Sequence, residues 1–500
     1  MLTATCAVPA AMAPIAPVLE TARLDVGPEI AGFYQARDFR PLWTMGRTLR
    51  PEAHQLAAQV HSPALDRALA AAASGATPAL VRADLLLSQA YVAYAQARNR
   101  PPAHNDMHYV DPALAPHAKT PRALLEAAAA APSPASALRR NPAFDGLVRG
   151  LDRYRATWGR LPQIQVPGHG PAQAAALRRR LGLAPGADDD RLAARLREFQ
   201  DVHALPVTGR TDAATIAALN TGAAHYERLI QANIERARAI PARPGGRMVI
   251  VDTASARLWM IEDGRIAGSM RVIVGKEAMA TPAFASTIRY AALNPYWNVP
   301  PDLIRARARK ALHRGPGAIA AEHLQVLSDW SPNARVLRPG QVDWRAVATG
   351  RRYVNLRQLP GPWNMMGRIK FMFANPYGVY LHDTPLRALF ARDDRRASSG
   401  CVRLEDAARL GRWLFRGHPP IPSGAAEQRV DLPDPVPVYI TYLTAIPTRD
   451  GVRFQRDVYG RDRIMTASAP RHEARARRAA PARSRARRGR AAAGRPAPRP

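Results

Sequence analysis

The sequence predicts a multidomain α+β protein, on three observations. Ala/Leu periodicity of helical type runs to about residue 222, short β-branched and aromatic runs begin at Arg247, and the last stretch has almost no large apolar residue. At 500 residues the chain exceeds one typical core, so two or three domains with linkers are expected. An apolar share of 47% is ample for burial. Only 6% aromatic residues and 46 prolines point to Ala/Leu-built helices broken by many loops.

Residues 1–20, MLTATCAVPAAMAPIAPVLE, are mildly apolar but lack a basic start and a sustained apolar stretch. They read either as the remnant of a truncated or mis-started export signal or as a cytoplasmic start. The residues before Cys6 are too few and of the wrong type for a lipoprotein signal. No run reaches ~18 apolar residues, so no transmembrane span is expected. Residues 21–165, with repeats such as ALDRALAAAASG and DLLLSQAYVAYAQARNR between proline clusters, predict an all-α scaffold. The aromatic segment Phe33, Tyr34, Phe39, Pro41, Leu42 and Trp43 is expected in its core.

Residues 166–222 open on VPGHGP and continue with two amphipathic helical stretches, Ala172 to Leu181 and Asp190 to His203. VTGRTDAATIAALN follows. There Thr208 and Gly209 make a turn, Thr211 can cap, and Asp212, Thr215, Ala218 and Leu219 sit on a short helix. From Arg247 the period changes to RMVIVD, ARLWMIE and IAGSMRVIVG, with Glu262-Asp263-Gly264-Arg265 as a hairpin signal. FMF, VYL and VPVYITYL recur later, so a β-rich domain spans 246–448. An Arg-rich helix-and-loop insertion at about 300–353 interrupts its strands, as active-site lids often do.

The net charge of +32 is partly local. Between Arg471 and Arg499 eleven Arg face one acid, Glu473, amid Ala, Pro and Gly, so residues 466–500 cannot pack a core and read as a disordered tail. Such a tail either binds nucleic acid or is merely solvated, touching polyanions weakly; the second reading is taken, with no specific nucleic-acid partner. Only Lys119, Lys276, Lys310 and Lys370 are lysines, so the Arg bias looks compositional.

Two cysteines, Cys6 and Cys401, support neither a disulfide framework nor a Cys-based metal site. Ligand spacings for other metals and a phosphate-cradling Gly loop are missing too, so no cofactor is expected. Cys401 therefore needs another explanation. NPYGVYLHDTP places His382 at the end of a strand that Pro385 prevents from continuing, read as an edge facing a cleft. Nineteen positions on, Gly400 precedes Cys401, and Leu404, Ala407, Ala408, Leu410 and Leu414 mark a helix just beyond. A tight turn entering that helix would set the thiol near outward N–H groups that favour thiolate, as would a nearby imidazole. The N–H groups of Cys401 and of Gly400 or Ser399 could hold an oxyanion. A buried structural Cys beside a surface His is the alternative that this pair alone leaves open.

His382-Asp383-Thr384-Pro385 followed by Ser398-Ser399-Gly400-Cys401-Val402-Arg403 resembles the signature of the L,D-transpeptidase (YkuD-type) catalytic domain. Gly275, Thr281 and Pro282 look like landmarks of its early sheet. Asn294 to Pro300 and Pro360 to Asn364 resemble its larger periplasmic branch, in which a helical scaffold, a peptidoglycan-binding module and a catalytic domain with a helical lid occur together. The stretch around Glu198-Phe199-Gln200 and the closing Ala-Leu-Asn is similar to the small three-helix peptidoglycan-binding module; an ordinary capped helical hairpin is the other reading. The resemblance implies Cys401 as nucleophile, His382 as base and the Asp383 backbone carbonyl as third member of the triad. Many relatives have His where this chain has Ser399, which bears on how the oxyanion is held.

The implied reaction is acyl transfer through a Cys thioester, releasing D-Ala from a tetrapeptide stem of peptidoglycan and forming a 3→3 crosslink. Water or a protein lysine as acceptor would instead make a carboxypeptidase or a lipoprotein-anchoring enzyme; a non-catalytic wall-binding scaffold is a further reading. Stem peptides are the implied partners, carbapenems the implied inhibitors, and the periplasm or cell envelope the implied place. Arg403 either orients a substrate carboxylate or ties its loop to a strand. Tyr377, Tyr296 and Trp297 either line the cleft or pack a core. Arg305 to His313 either attract stem carboxylates or are solvated helix charges.

Overall fold

The computed structural model describes residues 26–463, apart from 104–105, 139, 243–245 and 332. Residues 1–20, with Cys6, and the basic tail at 466–500 lie outside the described residues.

Many of the prolines start helices rather than break them. Pro63, Pro121 and Pro142 each occupy a first helical position, where no N–H is needed. Ser62, Thr120 and Asn141 before them accept the N–H of Leu65, Ala123 and Phe144. Pro28–Gln35, Pro51–Val60, Pro63–Ala72, Thr77–Asn99 and Pro121–Ala130 build the N-terminal helical region. Its core holds Phe33, Tyr34, Leu42, Trp43 and Tyr91, so four of the six residues of the aromatic segment are buried there, with Phe39 partly buried against them.

A buried carboxylate ties that segment down. Asp84 accepts the Tyr34 hydroxyl at 2.6 Å and the N–H groups of Leu42 and Trp43 at 3.1 and 2.7 Å. Ser88 Oγ meets the Tyr34 hydroxyl at 2.7 Å and accepts Trp43 Nε1–H at 3.0 Å. Burial raises the Asp84 carboxyl above its ordinary range and these donors pull it back. Asp84→Ala would strand the buried N–H groups of Leu42 and Trp43 and leave the Tyr34 hydroxyl with Ser88 alone. It is expected to cost about 2–4 kcal/mol of this region's stability, read as a lower denaturant midpoint for the first unfolding transition. A midpoint unchanged from wild type would remove the network's importance.

Further along, Pro142–Tyr154, Ala172–Arg180, Asp189–Val202, Ala213–Thr221 and Ala223–Arg238 share a second core with a C-terminal hairpin, Ala445–Thr448 and Gly451–Phe454. The expected cap at Thr211 moves by one residue: Asp212 accepts the Thr215 N–H at 2.7 Å, a carboxylate being the stronger acceptor. Gln200 closes the turn beside it, accepting from the N–H of Thr208 and Gly209 and donating to Thr215 Oγ1.

The β-rich region is built around eight strands: β1 (Arg247–Asp252), β2 (Arg257–Glu262), β3 (Arg265–Gly275), β4 (Phe284–Leu293), β5 (Ile369–Phe373), β6 (Leu381–His382), β7 (Val402–Leu404) and β8 (Gln428–Thr441). Their order is β5-β6-β7-β3-β2-β1-β8-β4, and β4 pairs again with β5, so the strands close on themselves. Closure removes the exposed edges an open sheet would carry. The β2–β3 hairpin turns at Asp263 and Gly264, both with positive φ, as the sequence signal requires. Val249, Leu258, Val272, Phe284, Phe371, Leu381, Val402 and Ile440 share one core with Leu410 and Leu414 of the helix Ala407–Leu414.

Two expectations change here. β6 is an interior strand, antiparallel to β5 and parallel to β7, so His382 is not at an edge; two residues suffice for strand pairing when neighbours flank both sides. The insertion is not helix and loop alone. Beside the helices Pro301–Arg314, Gly317–Ala321 and Trp344–Ala348 it builds a four-stranded antiparallel sheet from Trp297–Asn298, Leu324–Leu327, Val336–Leu337 and Asn355–Gln358. Strands of two to four residues are too short to display a period of two. Within the Arg305–His313 stretch, Arg307 and Lys310 both turn to Glu322.

Candidate active site

His382 and Cys401 come together because β6 and β7 run side by side in parallel, pairing Leu381 with Val402 and His382 with Arg403. Both line a cleft of about 410 Å³. Its walls also carry Ser399, Arg403, Tyr377, Tyr296 and Trp297, with Lys370 from β5, Tyr380 just before β6, and Met365 and Met366 from the segment between the insertion and β5. Trp297 serves two purposes, since it is also buried in the insertion's core. Tyr377 is 45% exposed, and its hydroxyl meets His108 Nδ1 at 3.0 Å. Asp383 and Gly400 do not line the cleft and act on it through their backbones.

The His382 ring is 1% exposed, and Nδ1 lies 2.5 Å from the Asp383 carbonyl oxygen. A carbonyl only accepts, so Nδ1 carries the hydrogen and Nε2 the lone pair. Burial, helped by the Arg403 charge, lowers the imidazole's pKa to about 3; the Asp383 carbonyl opposes this and Lys370 adds to it. The ring is therefore neutral at physiological pH. The Asp383 carboxylate is occupied elsewhere, accepting the Arg368 N–H at 2.9 Å and pairing with Arg387 at 2.5 Å.

The thiol sits in a different setting from the one the sequence suggested. Cys401 precedes the strand β7, and the helix starts only at Ala407, capped by Asp406. The N-terminus of that helix therefore does not act on the sulfur. The apolar spacing was helical, but three β residues intervene. Burial pushes the thiol up, while the Tyr380 N–H and the Arg403 charge pull it back. Its hydrogen bond goes to the Gly378 carbonyl at 3.5 Å, and among the described residues none joins it to His382.

The turn before Cys401 is held from both sides. Gly400 has φ +111°, a conformation that glycine alone adopts without strain. Ser398 Oγ accepts the Gly400 N–H at 3.2 Å and donates to the Cys401 carbonyl at 2.6 Å. The Gly400 N–H is thus committed, which removes it from the pair of oxyanion donors expected from the sequence. Thr281 Oγ1 donates to the Gly400 carbonyl at 2.8 Å and accepts the Gly275 N–H at 2.9 Å. Arg403 is half-buried and its Nε has no partner among the described residues. Lys370, the register partner of His382, pairs with Glu427, which also accepts the Tyr296 N–H at 2.6 Å.

Sequence reasoning singled out Thr281 and Ser398 as motif landmarks without a role, and missed Gly378, Lys370 and Glu427. The two roles lie in hydroxyl contacts across 3 and 119 positions. Lys370 stood out only as one of four lysines.

Residues 246–437 match the L,D-transpeptidase catalytic domain of the YkuD type, and residues 28–151 match a scaffold domain. A Haemophilus influenzae protein provisionally named an L,D-transpeptidase is 30% identical over 243 residues, 46% of this chain and 47% of that protein. The match thus spans about half the length of that relative. Among solved structures, an L,D-transpeptidase from Stackebrandtia nassauensis is 15% identical, covering 55% of this chain and 94% of its own, with a TM-score of 0.20. L,D-transpeptidase 3 from Mycobacterium tuberculosis, solved with a faropenem-derived adduct, is 15% identical over 39% of this chain and 59% of its own, with a TM-score of 0.20. Overlays this loose carry no residue roles across.

Proposed function

Residues 246–437 of this chain are a YkuD-type L,D-transpeptidase catalytic domain set behind a scaffold domain, and from that premise we propose that it crosslinks peptidoglycan through a thioester on Cys401. The observation that carries the reading is a neutral imidazole, its tautomer set by the Asp383 carbonyl, sharing one cleft with the sole cysteine among the described residues.

Turning from Gly378, the thiol gives its proton to His382 Nε2, and sulfur attacks the carbonyl of the third residue in a donor tetrapeptide stem. The oxyanion accepts the Cys401 N–H, with Ser399 at the same turn. As the tetrahedral adduct collapses, the C–N bond to D-Ala breaks and the leaving amine takes the proton from His382. The amine of a second stem then attacks the thioester, His382 takes its proton, and sulfur leaves and recovers that proton. The product is a 3→3 crosslink. Arg403, with its free Nε, supplies positive charge for a stem carboxylate. Tyr296, Trp297 and Tyr377 line the path of the chain.

The rest of the molecule follows from this chemistry. The scaffold at 21–165 and the catalytic unit at 246–448 lend the helix Pro142–Tyr154 and the strand Ala445–Thr448 to the core of the three helices within 166–222, which hold peptidoglycan, and the insertion at 300–353 covers the cleft as a lid. The substrate places the protein in the periplasm or cell envelope. No helix among the described residues is long and apolar enough to cross a membrane. Carbapenems would acylate Cys401.

Purified protein incubated with disaccharide-tetrapeptide is expected to yield 3→3 dimer, detected by mass spectrometry. Tripeptide without dimer would assign water as the acceptor. Neither product, together with no carbapenem adduct, would end the enzymatic reading.

A further inference from the structure

Cys401 takes its N–H from the peptide group whose carbonyl belongs to Gly400, and that carbonyl is held. Thr281 is fully buried, and its hydroxyl donates to the Gly400 oxygen at 2.8 Å. Its companion on the other side is Ser398, which donates to the Cys401 carbonyl at 2.6 Å. Hydrogen bonding to a peptide oxygen polarises the amide, so the N–H of the same peptide becomes a better donor. The Cys401 N–H has no partner among the described residues.

Thr281 is itself fixed from outside residues 246–437. Tyr459 donates its hydroxyl to the Gly275 carbonyl at 2.5 Å, and Gly275 donates its N–H to Thr281 Oγ1 at 2.9 Å. Arg461 donates to the Thr281 carbonyl at 3.2 Å. The strap that carries both is pinned in turn: Tyr459 stacks on Tyr442 at 5.4 Å, and Asp462 pairs at 2.6 Å with Arg236 of the helix Ala223–Arg238. The Arg236 side chain is 1% exposed, so this anchor is a buried ion pair whose breakage costs more than a surface one.

We propose that Thr281, clamped by Tyr459 and Arg461 of the C-terminal strap, is a positioning residue that orients and polarises the Gly400–Cys401 peptide so that its N–H receives the oxyanion. The inference rests on the acyl-transfer reading above. It places part of the oxyanion site under the control of residues beyond the matched catalytic domain.

The test uses the full chain with Thr281→Val, Thr281→Ser and Tyr459→Phe, read in kcat and KM on disaccharide-tetrapeptide and in the rate of Cys401 alkylation by iodoacetamide. Thr281→Val should lower kcat about tenfold to a hundredfold, less than the loss of an oxyanion donor outright. KM and alkylation should hold, because alkylation passes through no oxyanion. Thr281→Ser should restore kcat, and Tyr459→Phe should lower it by a smaller factor. Unchanged kcat in Thr281→Val, or kcat and alkylation falling together, would overturn the inference while leaving the acyl-transfer reading in place. A wild-type chain that transfers nothing would overturn both.

Discussion

Cys401→Ala is expected to abolish both crosslink formation and the covalent adduct, a loss of roughly 10⁴-fold or more, while the thermal transition stays where it is. The sulfur is the strongest nucleophile lining the cleft, far more readily ionised than the hydroxyl of Ser399 beside it, and no second thiol exists among the described residues to replace it. Ala fills the same backbone position without disturbing the bonds that shape the turn, since Ser398 and Thr281 hold backbone oxygens and not the side chain. Intact-mass spectrometry of the protein after exposure to tetrapeptide donor or to a carbapenem reads the adduct directly. More than a few per cent of wild-type adduct on the Ala variant would place the nucleophile elsewhere.

How much of this was legible beforehand depends on the range of the contacts involved. The change from helical to strand periodicity at Arg247, the Asp263-Gly264 hairpin and the helical N-terminal region are local, and local sequence carries them. The His382 and Cys401 motifs were legible because each is contiguous. What brings them together was not, because β6 and β7 have only two and three residues and their pairing depends on β5 and β3 on either side. The thiol's environment was misread for a related reason. Leu404, Ala407, Leu410 and Leu414 fit a helical spacing, yet Val402–Leu404 continues the sheet and the helix waits for the Asp406 cap. The insertion sheet was hidden by strand length, and the strap at Tyr459 and Arg461 by distance, since its partners lie about 180 positions earlier.

Removing the base should change the shape of the pH profile as well as the rate. For His382→Asn the acylation rate near neutral pH is expected to fall about 10²- to 10⁴-fold. The wild-type imidazole is held neutral by burial and by the Arg403 and Lys370 charges, with a pKa of about 3. A group whose neutral form is the active one, and whose pKa is depressed, keeps that form as pH falls through 6.5 and loses it only near 3. The wild-type rate should therefore be flat across the region where an ordinary histidine would produce an acid limb. His382→Asn has no acceptor for the thiol proton, so only preformed thiolate reacts. Burial raises the thiol's pKa, so in the variant the rate should climb about tenfold per pH unit. The gap between the two proteins must then narrow steadily as pH rises. Parallel profiles would mean that His382 does not carry the proton and that another group in the cleft does, whereas a wild-type limb centred near 6.5 would mean that burial and the neighbouring charges do not depress its pKa.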